Sequence, residues 1–135
     1  MTPMESIHKA IELAEKLQHV FVATADAEGL PHVAAASELR LESDGRVAAA
    51  AWFCPATVNN LQHNRRIALV VWDATEDTGY QLVGQVERVE DLAFLDGHAA
   101  GEDERYPSPQ VERQLIIRAD TVLAFSHAPH SDVEE

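Results

Sequence analysis

The 135-residue sequence is short of several things, and each shortage excludes a class of molecule. Cys54 is the only cysteine, so an intramolecular disulfide is impossible and a zinc site of several thiolates is excluded, a usage that suits a reducing compartment. Positive charge is scarce. Ten Lys and Arg stand against 23 Asp and Glu, a formal net charge of −13, which argues against nucleic-acid phosphates or anionic lipid as the main partner. Long apolar runs are missing as well. The opening MTPMESIHKAIELAEK carries charge throughout, so it reads as neither a secretory signal nor a membrane span, and the expected setting is the cytoplasm. Aromatics make up only 6%, but apolar residues together reach 46%, enough for one globular domain that buries roughly two thirds of its unfolded surface.

What is present has a clear rhythm. Thr2, Pro3 and Glu5 spell a capping box with proline in the first turn, and Ile7, Ile11, Ala14 and Leu17 recur at helical spacing, which predicts an amphipathic helix over residues 3–18. From His19 the character turns to β: VFVATA, HVAAASELRLE and RVAAAAWF, separated by the turns AEGLP and SDG, predict a three-strand meander. CPATVNNLQHN has Pro55 near its start and Val58 and Leu61 three apart, and reads as a short helix. RIALVVWD reads as a buried strand and YQLVGQVERVED as a long strand interrupted at Gly84 by a bulge or bend. Residues 92–100 are expected to form one more helix, GEDERYPSPQ a polar loop, and VERQLIIRADTVLAFSH the last strand. One domain is expected over residues 1–127, with residues 128–135 a disordered acidic tail. The fold class is therefore mainly β: a small six-stranded antiparallel barrel with helices plugging or flanking it.

Alanine is the unusual feature. Residues 34–36 and 48–51 put two alanine runs on adjacent predicted strands, where β propensity favours larger branched side chains. Such small side chains leave room for a ligand's flat ring or another subunit, or they mark a tight corner of the barrel.

In this order, FVATADAEGLPHVAAAS, DGRVAAAAWFCPATVNNLQHNRRIALVVWD and GYQLVGQVE resemble the FMN-binding split-barrel proteins related to pyridoxamine 5′-phosphate oxidase. The likeness spans about residues 19–90. It rests on the turn with Asp26, Gly29 and Pro31, the hairpin pair Asp44 and Gly45, the pair Asn60 and Leu61 followed by NRRIAL from Asn64, and the later G-Q-V-E. The resemblance implies a six-stranded split barrel, a homodimer with two non-covalent FMN sites at the subunit interface, and a flavin-dependent oxidoreductase role served by a small-molecule redox substrate or electron donor. No catalytic side chain is required, because the chemistry resides in the cofactor.

Beside the resemblance stands a physical reading of the site. A helix starting at Pro55 leaves the N–H groups of Ala56, Thr57 and Val58 without helical partners, its dipole favours an anion, and Thr57 adds a hydroxyl donor. In the family this first turn grips the phosphate. The ring is then expected against Ala34, Ala35, Ala36, Ala51 and Trp52, with Gln81 hydrogen-bonding a flavin carbonyl. For Trp52 a plain core or interface position fits as well, and for Gln81 a cross-strand surface position. Trp72 reads as a dimer-interface anchor, Asn60 as a brace for a loop carbonyl, and Cys54 as either a small buried residue or a thiol activated by the helix start.

The sequence departs from the family at its cations. Many relatives carry Lys or Arg in this first turn, where this chain has Ala56, and the oxidase has an arginine early on the second strand, where this chain has about Ala34. A phosphate here would rely on backbone donors, Thr57, or an arginine from elsewhere, with Arg40, Arg113 and Arg118 as candidates. Arg65 and Arg66 lie about ten residues further on, roughly 15 Å along a helix. No Lys or Arg follows Arg118, whereas the oxidase holds its substrate with C-terminal arginines, so vitamin B6 oxidation is not expected. Two other readings stay open: a cofactor-free binding or scaffold protein, and a binder of another flat redox cofactor such as a deazaflavin or haem. The seven histidines form no metal pattern, since Ala128 and Pro129 break any helix that would align His127 with His130.

Overall fold

Thr2 caps the first helix as its spacing predicts: its hydroxyl accepts the N–H of Glu5, while the Glu5 carboxylate receives the N–H of Thr2. In a computed structural model, which describes residues 2–51, 53, 55–95 and 110–128, this helix (α1) covers Pro3–Leu17 and ends on Gln18 in the left-handed conformation, φ 66°. There follow β1 (Val20–Ala25), β2 (Pro31–Ala36), β3 (Glu38–Leu41), β4 (Val47–Ala51), α2 (Pro55–His63), β5 (Arg66–Asp73), β6 (Thr78–Leu95) and β7 (Gln110–Ala124).

All seven strands lie in one antiparallel sheet of order β2-β1-β5-β6-β7-β4-β3. Its two edges, β2 and β3, are separated by Ser37 alone. Laid flat, seven strands would hold those edges about 29 Å apart at roughly 4.8 Å per strand, so the sheet must be rolled until its edges meet. Ser37 marks the seam: its N–H and hydroxyl both donate to the Ala50 carbonyl, at 3.3 and 3.1 Å. The chain thus leaves one edge and joins the other without a break in direction. Counted as one bent strand, β2 and β3 make the expected six-stranded split barrel.

Alternation sorts each strand into an inner and an outer face. Val20, Val22, Val47, Leu69, Val71, Leu82, Val86, Leu115 and Ile117 fill the interior, all at 1% exposure or less. α1 lays Ile7, Ala10 and Ala14 against this core and packs on β3, β5, β6 and β7. Lys16 at its C-terminal end reaches the Asp73 carboxylate at 3.2 Å.

Two expectations are corrected. Residues 92–95 are strand, not helix: β6 runs on to Leu95, with Ala93, Phe94 and Leu95 paired to Glu112, Val111 and Gln110. Cross-strand pairing overrides the helical preference of Leu and Ala there, and the rest of that expected helix lies outside the described residues. The expected second strand of the meander is cut at Ser37, so the two alanine runs do not share a ladder: β2 pairs with β1, whereas β4 lies between β3 and β7. The expected loop at 101–110 also falls outside the described residues, save that Gln110 opens β7.

The expected break at Gly84 is present. Register shifts occur at Val83/Gly84, Val86/Arg88 and Asp91/Ala93. At the first, a Cβ on Gly84 would stand 1.9 Å from the Arg118 carbonyl oxygen, so only glycine admits that approach. At the second, Glu87 is the extra residue. Arg65 then donates from Nη1 to the carbonyls of Val86 and Glu87, at 3.2 and 3.3 Å, taking up groups that the bulge frees from the ladder.

Candidate functional site

α2 packs on β1 and β2, close to the seam. Its side toward the barrel is polar as well as apolar: Thr57 and Asn60 are buried beside Leu61, and Asn60 Nδ2 donates to Thr24 Oγ1 on β1 at 3.1 Å. Asn60 therefore braces a strand side chain. Thr57 has no solvent exposure at all, while Pro55 and Ala56 before it are exposed. The outward-facing part of the first turn is thus Pro55 and Ala56, with the Thr57 side chain beneath it. No cation belongs to this turn.

The arginines considered as substitutes are each engaged elsewhere. Arg40 binds Glu38 at 2.7 Å and also the Gln114 side-chain oxygen; Arg113 pairs with Asp91 at 3.3 Å; Arg118 pairs with Asp120 at 2.9 Å. Arg40 belongs to a polar ladder on the outer face of β3, β4, β7 and β6. Gln114 Nε2 donates to Glu90 at 2.8 Å, and Arg88 Nε meets the other oxygen of Glu90 at 3.0 Å. The Gln114 amide and the Arg88 guanidinium hold the Glu90 carboxyl below its ordinary range.

This ladder also accounts for half of the β4 alanines. The registers Glu38–Ala50–Gln114–Glu90 and Arg40–Ala48–Ile116–Arg88 place Ala48 and Ala50 under the long side chains that cross between β3 and β7. Both are nearly fully buried although they face outward, whereas Ala49 and Ala51 point into the core.

The expected ring contacts divide between two surfaces. Ala36 and Ala51 are buried, Ala34 is half-buried, and Ala35 is exposed on the outer face. Gln81 is half-buried on that same outer face. One unbroken cross-strand row, Ala35–Phe21–Val70–Gln81–Leu123, runs over five strands, with a second beside it, Val33–Ala23–Ala68–Val83–Thr121. Phe21 is 42% exposed and Val33 63%, so this is an open apolar sheet face. Gln81 is the single hydrogen-bonding side chain in its row. Trp52 and Cys54 lie outside the described residues.

A feature that the sequence reading missed borders this face. Trp72 is opposite Gly79 in the ladder, and over that glycine its indole meets the ring of Phe125 edge-on, centroids 6.0 Å apart. Its Nε1–H donates to Asp77 at 3.0 Å, and Asp77 also receives the N–H groups of His127 and Ala128, at 2.7 and 3.0 Å. These donors, His127 first and then Trp72, hold the Asp77 carboxyl below its ordinary range. Ala128, expected to begin the disordered tail, is held by this bond, and residues 129–135 lie outside the described residues. A signal existed in the W-D-A-T-E-D-T-G hairpin, where an acidic residue stands ready near the turn, but the contact with residues 125–128 is non-local.

Among the described residues no group of three or more His, Cys, Asp and Glu could hold a metal ion, and no helix is long and apolar enough to cross a membrane. Residues 7–124 match the family model described as pyridoxamine 5′-phosphate oxidase. Among solved structures the chain is similar to a Clostridium acetobutylicum protein related to general stress protein 26 of B. subtilis, of the pyridoxinephosphate oxidase family (23% identity, 93% of this chain and 92% of that one, TM-score 0.60). It is similar also to a pyridoxamine 5′-phosphate oxidase-related, FMN-binding protein from Nostoc punctiforme (13%, 93% and 86%, TM-score 0.64) and to an F420 reductase (17%, 82% and 93%, TM-score 0.57). No curated protein matches. At these identities the structural likenesses establish the fold.

Proposed function

The chain belongs to the pyridoxamine 5′-phosphate oxidase family, and on that footing we propose that it is an FMN-binding flavoprotein, with the cofactor held non-covalently between two copies and a flavin-dependent oxidoreductase role. The observation that carries this reading is the open apolar face, two cross-strand rows of mostly aliphatic side chains and Phe21, with Gln81 inside one of them. A flat ring covered by a second copy would bury that face, and Gln81, which can donate and accept, would meet the ring's polar edge. Ala35 contributes to the same face. The phosphate would lie at the exposed start of α2, with Thr57 beneath it, whereas Ala36 and Ala51, expected against the ring, are buried in the core. When bound, FMN supplies the redox chemistry, accepting hydride or electrons from a small-molecule donor.

The test is the visible absorption spectrum of the protein purified without added cofactor, and again after mixing with excess FMN and desalting. A retained flavin band, a dimer by sedimentation and weakened retention in Q81A support the reading; no band in either sample defeats it. A second reading, the cofactor-free binding or scaffold protein, is favoured by the uncharged α2 start and by the engagement of Arg40, Arg113 and Arg118. Parallel titrations with a deazaflavin and with haem decide whether another flat cofactor takes the face instead.

A further inference from the structure

We propose that Asp77 is a positioning residue for the cofactor face: by fixing the Trp72 indole it builds the aromatic wall against which the flat ring comes to rest. This inference rests on the reading given under Proposed function. Trp72 and Val70 alternate outward on β5, so the Trp72–Gly79 position adjoins the row that carries Gln81. Gly79 adds no side chain between Trp72 and Phe125, and none could be added. A Cβ there would stand 2.5 Å from the Val71 carbonyl oxygen and 2.9 Å from that of Phe125. The end of β7 is thereby drawn close, with Phe125 N–H donating to the Gly79 carbonyl at 3.0 Å.

Three further bonds from one carboxylate complete the arrangement. Asp77 itself adopts φ 51°, a left-handed conformation that few non-glycine residues hold without compensation. Its three bonds provide that compensation. Because the indole N–H is taken by Asp77, Trp72 has no donor left for a ligand and presents only its apolar ring. The wall therefore favours the planar, apolar part of a cofactor and offers nothing to a phosphate or sugar. Gln81, one cross-strand row away, supplies the polar contact. Asp77 does not touch the ring; it acts through Trp72.

The experiment titrates FMN into the wild-type chain, W72F, D77N and the double variant, following quenching of flavin fluorescence, with the Trp72 indole N–H signal recorded by NMR for the wild type and D77N. We expect the FMN Kd to rise about tenfold in each single variant, the scale of one aromatic contact together with its support, and no further in the double variant, because the two residues act as one unit. A purely structural role for Asp77 would lower the melting temperature and leave the Kd unchanged. If D77N does not fold, D77E, which keeps an acceptor on a longer arm, takes its place. Wild type that binds FMN, with the Asp77 variant within twofold of it or with additive losses in the double variant, overturns this inference alone. Wild type that binds no FMN overturns it together with the functional reading.

Discussion

The Trp72 indole donates to the Asp77 carboxylate over 3.0 Å, and that single contact joins a strand, a turn and the segment after β7, since Asp77 also receives the N–H groups of His127 and Ala128. The carboxyl is held below its ordinary range, chiefly by the His127 N–H and then the Trp72 indole, which fixes the sign of its pH dependence. A group whose folded value is depressed contributes stability that is fully present above the unfolded value, about 3.9 for Asp, and is lost as pH falls through the folded value. The Ala128 amide and the Trp72 indole N–H should therefore share one transition in their NMR shifts below about pH 4. Movement of one without the other would show that Asp77 does not hold both.

Gly84 and Gly29 should respond to the same substitution for opposite reasons. At Gly84 the obstacle is the Arg118 carbonyl, 1.9 Å from an added Cβ, so Gly84→Ala requires the β6–β7 ladder to move and should cost about 3 kcal/mol or more by urea denaturation. At Gly29 nothing lies within 4 Å of such a Cβ, but φ is +89°, so Gly29→Ala should cost only about 1 kcal/mol of backbone strain. Equal costs would mean that the close approach at Gly84 relaxes.

These two glycines mark what can be read locally. Gly29 sits in a D-x-x-G turn, where Asp26 accepts the N–H groups of Glu28 and Leu30 at 2.9 and 2.8 Å, a pattern written within five residues. The capping box of Thr2 and Glu5 is equally local, and the first helix ends within one residue of its expected end. Gly84 was legible as a break, but its cause, the Arg118 backbone, lies on another strand. Residues 92–95 misled because Leu and Ala favour helix while their partners, residues 110–112, stand far along the chain.

The candidate site divides in the same way. Its helix and its family pattern were visible in sequence, whereas sorting the alanines into core, ladder floor and open face required the strand order. Thr57 reads in sequence as a hydroxyl donor of the first turn, and only the packing of α2 on β1 and β2 shows that its side chain is buried.

Asn60 and Thr24 should behave as a coupled pair. Their hydrogen bond, 3.1 Å long and buried, is a polar link between α2 and β1. Asn60→Ala leaves the Thr24 hydroxyl buried without this donor and should cost about 1–3 kcal/mol, whereas removing both groups, in Asn60→Ala with Thr24→Val, should cost less than the two single losses added together. Additive losses in denaturant melts would show that the link contributes nothing of its own.

Ala50 separates the two explanations for the alanine runs. It faces outward at 5% exposure, in register with Glu38 on one side and Gln114 on the other, beneath the contacts that join Arg40, Gln114 and Glu90. Two added methyl groups there must displace long side chains whose polar ends are already satisfied. Ala50→Val should therefore destabilise the protein by about 1–3 kcal/mol and, since the residue lies off the Gln81 row, leave FMN affinity within twofold of wild type. At Ala35 the opposite outcome is expected: the residue is exposed beside Phe21, a valine fits there without strain, and stability should hold within about 0.5 kcal/mol while FMN retention falls. Thermal melts and FMN titrations of the two variants decide the matter. Lost affinity in Ala50→Val with unchanged stability would return the β4 alanines to the ligand.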